Sequence, residues 1–151
     1  MRSASLETPV GVLSVFEAED AIVGLRWGRV EGRNSSPLLE EALRQLAGYF
    51  SGARTRFTLP LNPPGNAFQR QVCAAMSAIP FGETRTYGEI ARQLGSAAQP
   101  VGNACGGNPI PVIIPCHRVL AANGLGGFSG QGGVETKVAL LRLEGAAGLL
   151  I

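Results

Sequence analysis

Cys116, His117 and Arg118 set a thiol, an imidazole and a guanidinium side by side inside the stretch PVIIPCHRV, residues 111–119. His117 is the chain's one histidine. A thiol with the ordinary pKa of ~8.5 is only slightly ionised at neutral pH, and a nearby cation lowers that value. Each pKa unit is ~1.4 kcal/mol of thiolate stabilisation. The trio therefore suits a sulfur nucleophile better than a packed core. Adjacent residues point in different directions on a strand or a helix. Cys116 and His117 thus need a bend or a bridging water to exchange a proton, and Pro115 offers the bend. The imidazole needs an orienting partner as well. Residues 63–151 hold four acidic side chains, Glu83, Glu89, Glu135 and Glu144. Glu89 stands three residues after Thr86, where it caps its own helix. Glu144 closes the segment VETKVALLRLEG and is predicted to reach back to His117. The result is a Cys–His–Glu relay with the logic of a thiol hydrolase.

The other chemistry-bearing residues read more plainly. Cys73 follows Val72 and lies one turn from Phe68 and Met76, so it is predicted to be a small core hydrophobe. Cys105 is read the same way. Cysteines at 73, 105 and 116 with His117 show no CxxC or HxxxH pair, which argues against a zinc set. The glycine-rich GLGGFSGQGG, 124–133, lacks the GK[ST] ending of a phosphate loop. It fits a flap beside a pocket, with Phe128 and Ser129 at its tip.

The elements that position these residues follow from pattern. PVGVLSVFE (9–17) and AIVGLRW (21–27) alternate around the acidic AED and predict a hairpin. SPLLEEALRQLAGYF predicts a helix, with Leu39, Leu43, Leu46 and Phe50 at helical spacing. Ser36 is its N-cap, Pro37 its first residue and Gly52 its stop. TRFTLPL, 55–61, predicts a third strand, and NPPGN, 62–66, a stiff linker. The domain boundary is drawn there, giving 1–62 and 63–151. The second part predicts three short helices before the thiol. One is capped by Asn66 with Gln69 and stopped by Pro80, and one is capped by Thr86 with Glu89 and closed by Gly95. The third, over 99–108, breaks at Gly106-Gly107. Helix, glycine turn, helix is the helix-turn-helix outline. Its second helix carries Ala97, Ala98, Gly102 and Ala104 and no cation. A helix is ~10–12 Å across with side chains and the minor groove only ~6 Å wide. Such a stripped helix suits either close helix packing or a widened minor groove.

Composition bounds the class. The chain has 151 residues, 45% hydrophobic and 16% charged, which reads as globular. No apolar run approaches the ~20 residues of a membrane span, and MRSASLETPVG lacks a signal-peptide core. An odd cysteine count argues for a reducing, cytoplasmic setting. The net charge of +2 is weak. Residues 1–62 balance seven cations against seven acids, while 63–151 carry six against four, so the excess lies in the second part. That permits a polyanionic partner.

With FQRQVCAAMSAIPFGETRTYGEIARQLG, NPIPVIIPCHRVL and GGFSGQGGVETKVALLRLEG, the chain resembles the O6-alkylguanine-DNA alkyltransferases, strongly over residues 66–145. TPVGVLSV matches their N-terminal domain more loosely. The resemblance implies an α+β protein. Its first domain would be RNase H-like, with a three-stranded antiparallel sheet and a helix; its second would be helical and winged-helix-like. The implied activity is irreversible, single-turnover transfer of alkyl from O6-alkylguanine, with O4-alkylthymine as a second substrate, to the protein's own cysteine. No cofactor or metal is implied. Cys116 would accept the alkyl group, His117 would take its proton through a water, Glu144 would orient the imidazole, and Tyr87 would donate its hydroxyl to the departing guanine. Pro111, Phe128 and Ser129 would line the base pocket, and Asn108 would hold the turn ahead of the thiol. Arg118 would contact backbone carbonyls or phosphate. A monomer would bind duplex DNA through the minor groove with the helix of Ala98, Gln99 and Gly102 and flip the base. Gln99 departs from the arginine that relatives commonly insert into the duplex. Two other readings stay open: a module that binds alkylated DNA without repairing it, and a cysteine hydrolase that turns over repeatedly.

Overall fold

The computed structural model describes residues 1–30 and 34–146. The chain divides into two compact units, Met1–Pro64 and Gly65–Ile151.

In the first unit β1 (Arg2–Thr8), β2 (Gly11–Ala18) and β3 (Ala21–Trp27) form an antiparallel sheet in that order. The β2–β3 hairpin turns on Glu19 and Asp20, both at positive φ (50° and 62°), as a two-residue loop between right-twisted strands requires. Helix α1 (Pro37–Phe50) packs on β1 and β2. Ser36 caps it by accepting from Leu39 N at 3.1 Å. Its buried face runs through Leu39, Ala42, Leu46 and Tyr49.

The third strand is not the one the sequence predicted. It is β1, whose inward side chains include serines rather than aliphatics: Ser3 is buried, and Ser5 shares a hydrogen bond with Ser14 at 2.7 Å. That polar seam gives no hydrophobic alternation to read. Segment 55–61 makes only one parallel bridge, Leu61 to Ile22. Its backbone groups are spent elsewhere: Thr58 N donates to Gln45 Oε1 at 2.8 Å, the Arg56 carbonyl accepts from Arg54 Nε at 2.6 Å, and Pro60 has no N–H.

In the second unit α2 (Ala67–Ser77) packs against α3 (Tyr87–Leu94) and α4 (Ala98–Gly106). Asn66 caps α2 through Gln69 N at 2.8 Å. The reciprocal half of that capping box is not made, because the Gln69 amide donates to the Ala104 carbonyl at 2.8 Å and ties α2 to α4. For α3 both halves are made by Thr86 and Glu89, and Gly95 closes it at φ 66°. A two-residue parallel pairing, β4 (Arg85–Thr86) with β5 (Val119–Leu120), matches Arg85 to Val119. It sets the chain leaving the thiol beside the start of α3. Helix α5 (Val134–Glu144) follows the glycine-rich loop and stops at Gly145, φ 63°.

Candidate active site

The apolar run does not enter Cys116 as a strand. Ile113 N donates to the Pro111 carbonyl at 2.9 Å, which puts Val112 at φ 72°. For a β-branched residue this is a strained conformation, of order 1–3 kcal/mol. Cys116 N then donates to the Ile114 carbonyl at 2.8 Å across Pro115 at φ −81°, ψ 69°, a second three-residue turn of the relaxed hand. Asn108, buried, holds both turns: its Oδ1 accepts from Ile110 N at 3.0 Å and its Nδ2 donates to the Ile114 carbonyl at 2.8 Å. The proline thus makes the bend that the thiol–imidazole pair demanded, and Cys116–Arg118 continue as one 3-10 turn.

Behind that turn lies a buried charge cluster. His117 Nε2 is 2.6 Å from Glu144 Oε2, with both side chains 0% exposed. The opposite edge of the carboxylate accepts from Arg118 Nε at 2.8 Å, and Arg118 Nη2 reaches Oε2 at 3.0 Å. Gly82 N adds a donor at 3.3 Å. Arg118 Nη1 donates to the Ile79 carbonyl at 2.6 Å. Of the two roles left open for Arg118, backbone contact is the one observed. The side chain is 8% exposed, and its Nε, Nη1 and Nη2 each donate inward, to Glu144 or to the Ile79 carbonyl.

Burial pushes His117 below the ordinary imidazole value, while Glu144 opposes the shift. A neutral ring beside a carboxylate carries its proton on Nε2. Nδ1 is then a lone pair, and this atom is buried without a hydrogen-bond partner among the described residues. The residue after the thiol thus carries a base with its acceptor atom free. Burial also pushes the Cys116 thiol up, opposed by a hydrogen bond from Asn108 and the charge of Lys137. The resting sulfur therefore holds its proton and needs a base to lose it.

Cys116 opens on a cavity of about 60 Å³. Its wall brings together the predicted Tyr87 of α3, Gly102 of α4, and Phe128 and Ser129 of the glycine-rich loop. Pro111 stands outside this wall, where its carbonyl closes the Val112 turn. Ala98 and Gln99 are exposed on the outer part of α4.

Two functional candidates escaped the sequence reading. Cys105, read as core, is buried but lines the same cavity as Cys116. Lys137 is 0% exposed, its Nζ donating to the Val119 carbonyl at 2.7 Å and the Gly127 carbonyl at 3.0 Å. Burial lowers its pKa to about 8. A signal existed: Lys137 is the chain's single lysine, set among the apolar residues of α5.

Residues 67–146 match the family described as 6-O-methylguanine DNA methyltransferase, DNA binding domain, and residues 1–63 match its ribonuclease-like domain. A methylated-DNA–protein-cysteine methyltransferase of Mycolicibacterium paratuberculosis is 39% identical, covering 93% of this chain and 90% of that protein. The constitutive enzyme of that name from Bacillus subtilis is also 39% identical, covering 91% and 92%. Among solved structures, that of Mycobacterium tuberculosis OGT in complex with DNA superposes with a TM-score of 0.85 at 40% identity, covering 96% of this chain and 93% of that one.

Proposed function

The chain belongs to the 6-O-methylguanine DNA methyltransferase family, and on that premise we infer that Cys116 is where the alkyl group ends. The protein repairs DNA by moving an alkyl group from the nucleic acid to its own cysteine, one transfer per molecule. O6-alkylguanine in duplex DNA is the substrate, and O4-alkylthymine a second one.

His117 Nδ1 takes the Cys116 proton through a bridging water. The sulfur attacks the alkyl carbon. A sulfur–carbon bond forms, the carbon–oxygen bond breaks, and the electron pair leaves on guanine O6. Tyr87 donates a hydrogen bond to the departing base, whose charge grows as the alkyl leaves. The proton removed from sulfur is returned to the guanine. The thioether that remains has no leaving group, so the protein is spent. The observation that carries this reading is a buried imidazole nitrogen without a partner among the described residues, on the residue after a thiol that opens on a small cavity.

Phe128 and Ser129 flank the flipped base, and the face of Ala98, Gln99 and Gly102 enters the minor groove. A side chain at Gly102 or Gly106 would meet nothing within 4 Å, which supports an outer face left bare for a partner. One chain supplies the complete Cys116–His117–Glu144 set, which supports action as a monomer. Three cysteines, all free, suit the reducing conditions of a cytoplasm. Among the described residues no helix is long and apolar enough to cross a membrane.

The test counts lesions. An excess of duplex carrying O6-methylguanine should lose one methyl per protein molecule and then no more. Continued clearance would mean a turnover enzyme. Persistent binding without any methyl loss would mean a damage-recognition module.

A further inference from the structure

We propose that Lys137 is a positioning residue for this alkyl transfer, holding the glycine loop so that the loop keeps the Tyr87 hydroxyl at the edge of the cavity. The proposal rests on the alkyltransferase reading and adds a residue to it.

Lys137 joins three segments that meet at the site. Its Nζ binds the Val119 carbonyl, in the strand that leaves the Cys116 turn, and the Gly127 carbonyl, in the wall of the cavity. It also lies 5.9 Å from the Tyr87 ring centroid. Gly127, whose carbonyl accepts from Lys137, shares the cavity wall with Tyr87. Gly126 shows how close the loop lies. A Cβ there would stand 2.8 Å from the Tyr87 hydroxyl, at φ 72°. A buried ammonium is expensive to desolvate, and a neutral amide could have met two carbonyls. The cation also faces the Cys105 and Cys116 thiols and His117, so a direct effect on the sulfur is the rival explanation.

A double-mutant cycle separates the two. The rate of methyl transfer in a single turnover is measured for the full chain, Lys137→Met, Tyr87→Phe and the double variant. Losing the Tyr87 donor should slow transfer about 100-fold, and misplacing it through Lys137→Met by a comparable factor. The double variant should be no slower than Tyr87→Phe alone. Gly126→Ala, which keeps the ammonium and crowds the phenol, should behave in the same way if Lys137→Met fails to fold. Isotope-labelled tyrosine gives a spectroscopic signature, because the chain has two tyrosines. The Tyr87 ring signals should move in Lys137→Met while those of Tyr49 stay. Losses that multiply in the double variant, an unshifted Tyr87 signal, or an unchanged rate in Lys137→Met would overturn the proposal. A wild-type protein that transfers no methyl at all would instead overturn the reading beneath it.

Discussion

Glu144 Oε2 lies 2.6 Å from His117 Nε2 in a setting where neither side chain meets solvent. The same carboxylate is the counter-ion of Arg118. One acid thus both orients the base and neutralises a buried cation, so its loss should be felt in activity and in stability.

Glu144→Gln tests this pairing. Removing one partner of a buried ion pair costs about 3–5 kcal/mol, and the imidazole then faces a neutral amide in place of the carboxylate that fixes its tautomer. Chemical denaturation should show the destabilisation, and single-turnover transfer should slow strongly at temperatures where the variant is folded. A variant as stable and as fast as wild type would remove Glu144 from the account.

His117 sets a pH dependence of stability. Burial holds its folded pKa below the ordinary value of about 6.5, so below that pH the unfolded chain binds a proton that the folded chain refuses. Stability present above pH ~6.5 is therefore lost as pH falls, with a slope of up to ~1.4 kcal/mol per pH unit from this one site. Denaturation midpoints between roughly pH 6.5 and 5 should show that slope in wild type and lack it in His117→Gln. The same slope in both proteins would mean that His117 is not held neutral.

Asn108 ties the two turns to the thiol. Asn108→Ala leaves the Ile114 carbonyl and Ile110 N–H without their partner, at about 1–3 kcal/mol for a buried group. It also removes the hydrogen bond that opposes the rise of the Cys116 pKa. Alkylation of Cys116 by iodoacetamide should shift to higher pH in the variant. An unshifted profile would show that the amide does not reach the sulfur.

Gln99 is exposed on α4, where it adds no charge to DNA binding. Gln99→Arg should tighten binding to duplex and steepen the log–log salt dependence by about 0.9, as read by fluorescence anisotropy. Unchanged affinity and repair rate would mean that residue 99 does not enter the base stack.

These sites differ in how far the sequence discloses them. The helix starts at Ser36, Asn66 and Thr86 were readable because capping is local chemistry, written within four residues. Glu144 was readable because the second unit has few acids and only one ends a helix after the thiol. Arg118 was not: whether a guanidinium next to a histidine turns inward depends on the Ile79 carbonyl and the Glu144 carboxylate, both distant in sequence. Cys105 is buried as read, but its place in the cavity wall was not legible, since burial and cavity wall are the same pattern on α4. Strand β1 failed because its inward side is serine, so packing chose it where periodicity could not. Val112 at positive φ contradicts its local preference, and such a conformation is set by the Asn108 clamp rather than by valine.

The central claim is that Cys116 alone keeps the alkyl group. Intact mass and peptide mapping after incubation with a duplex holding one O6-methylguanine test it directly. The account predicts one added methyl, on the peptide containing Cys116, and no addition to Cys116→Ser. A methyl found on Cys105 or Cys73, or one carried by Cys116→Ser, would contradict it.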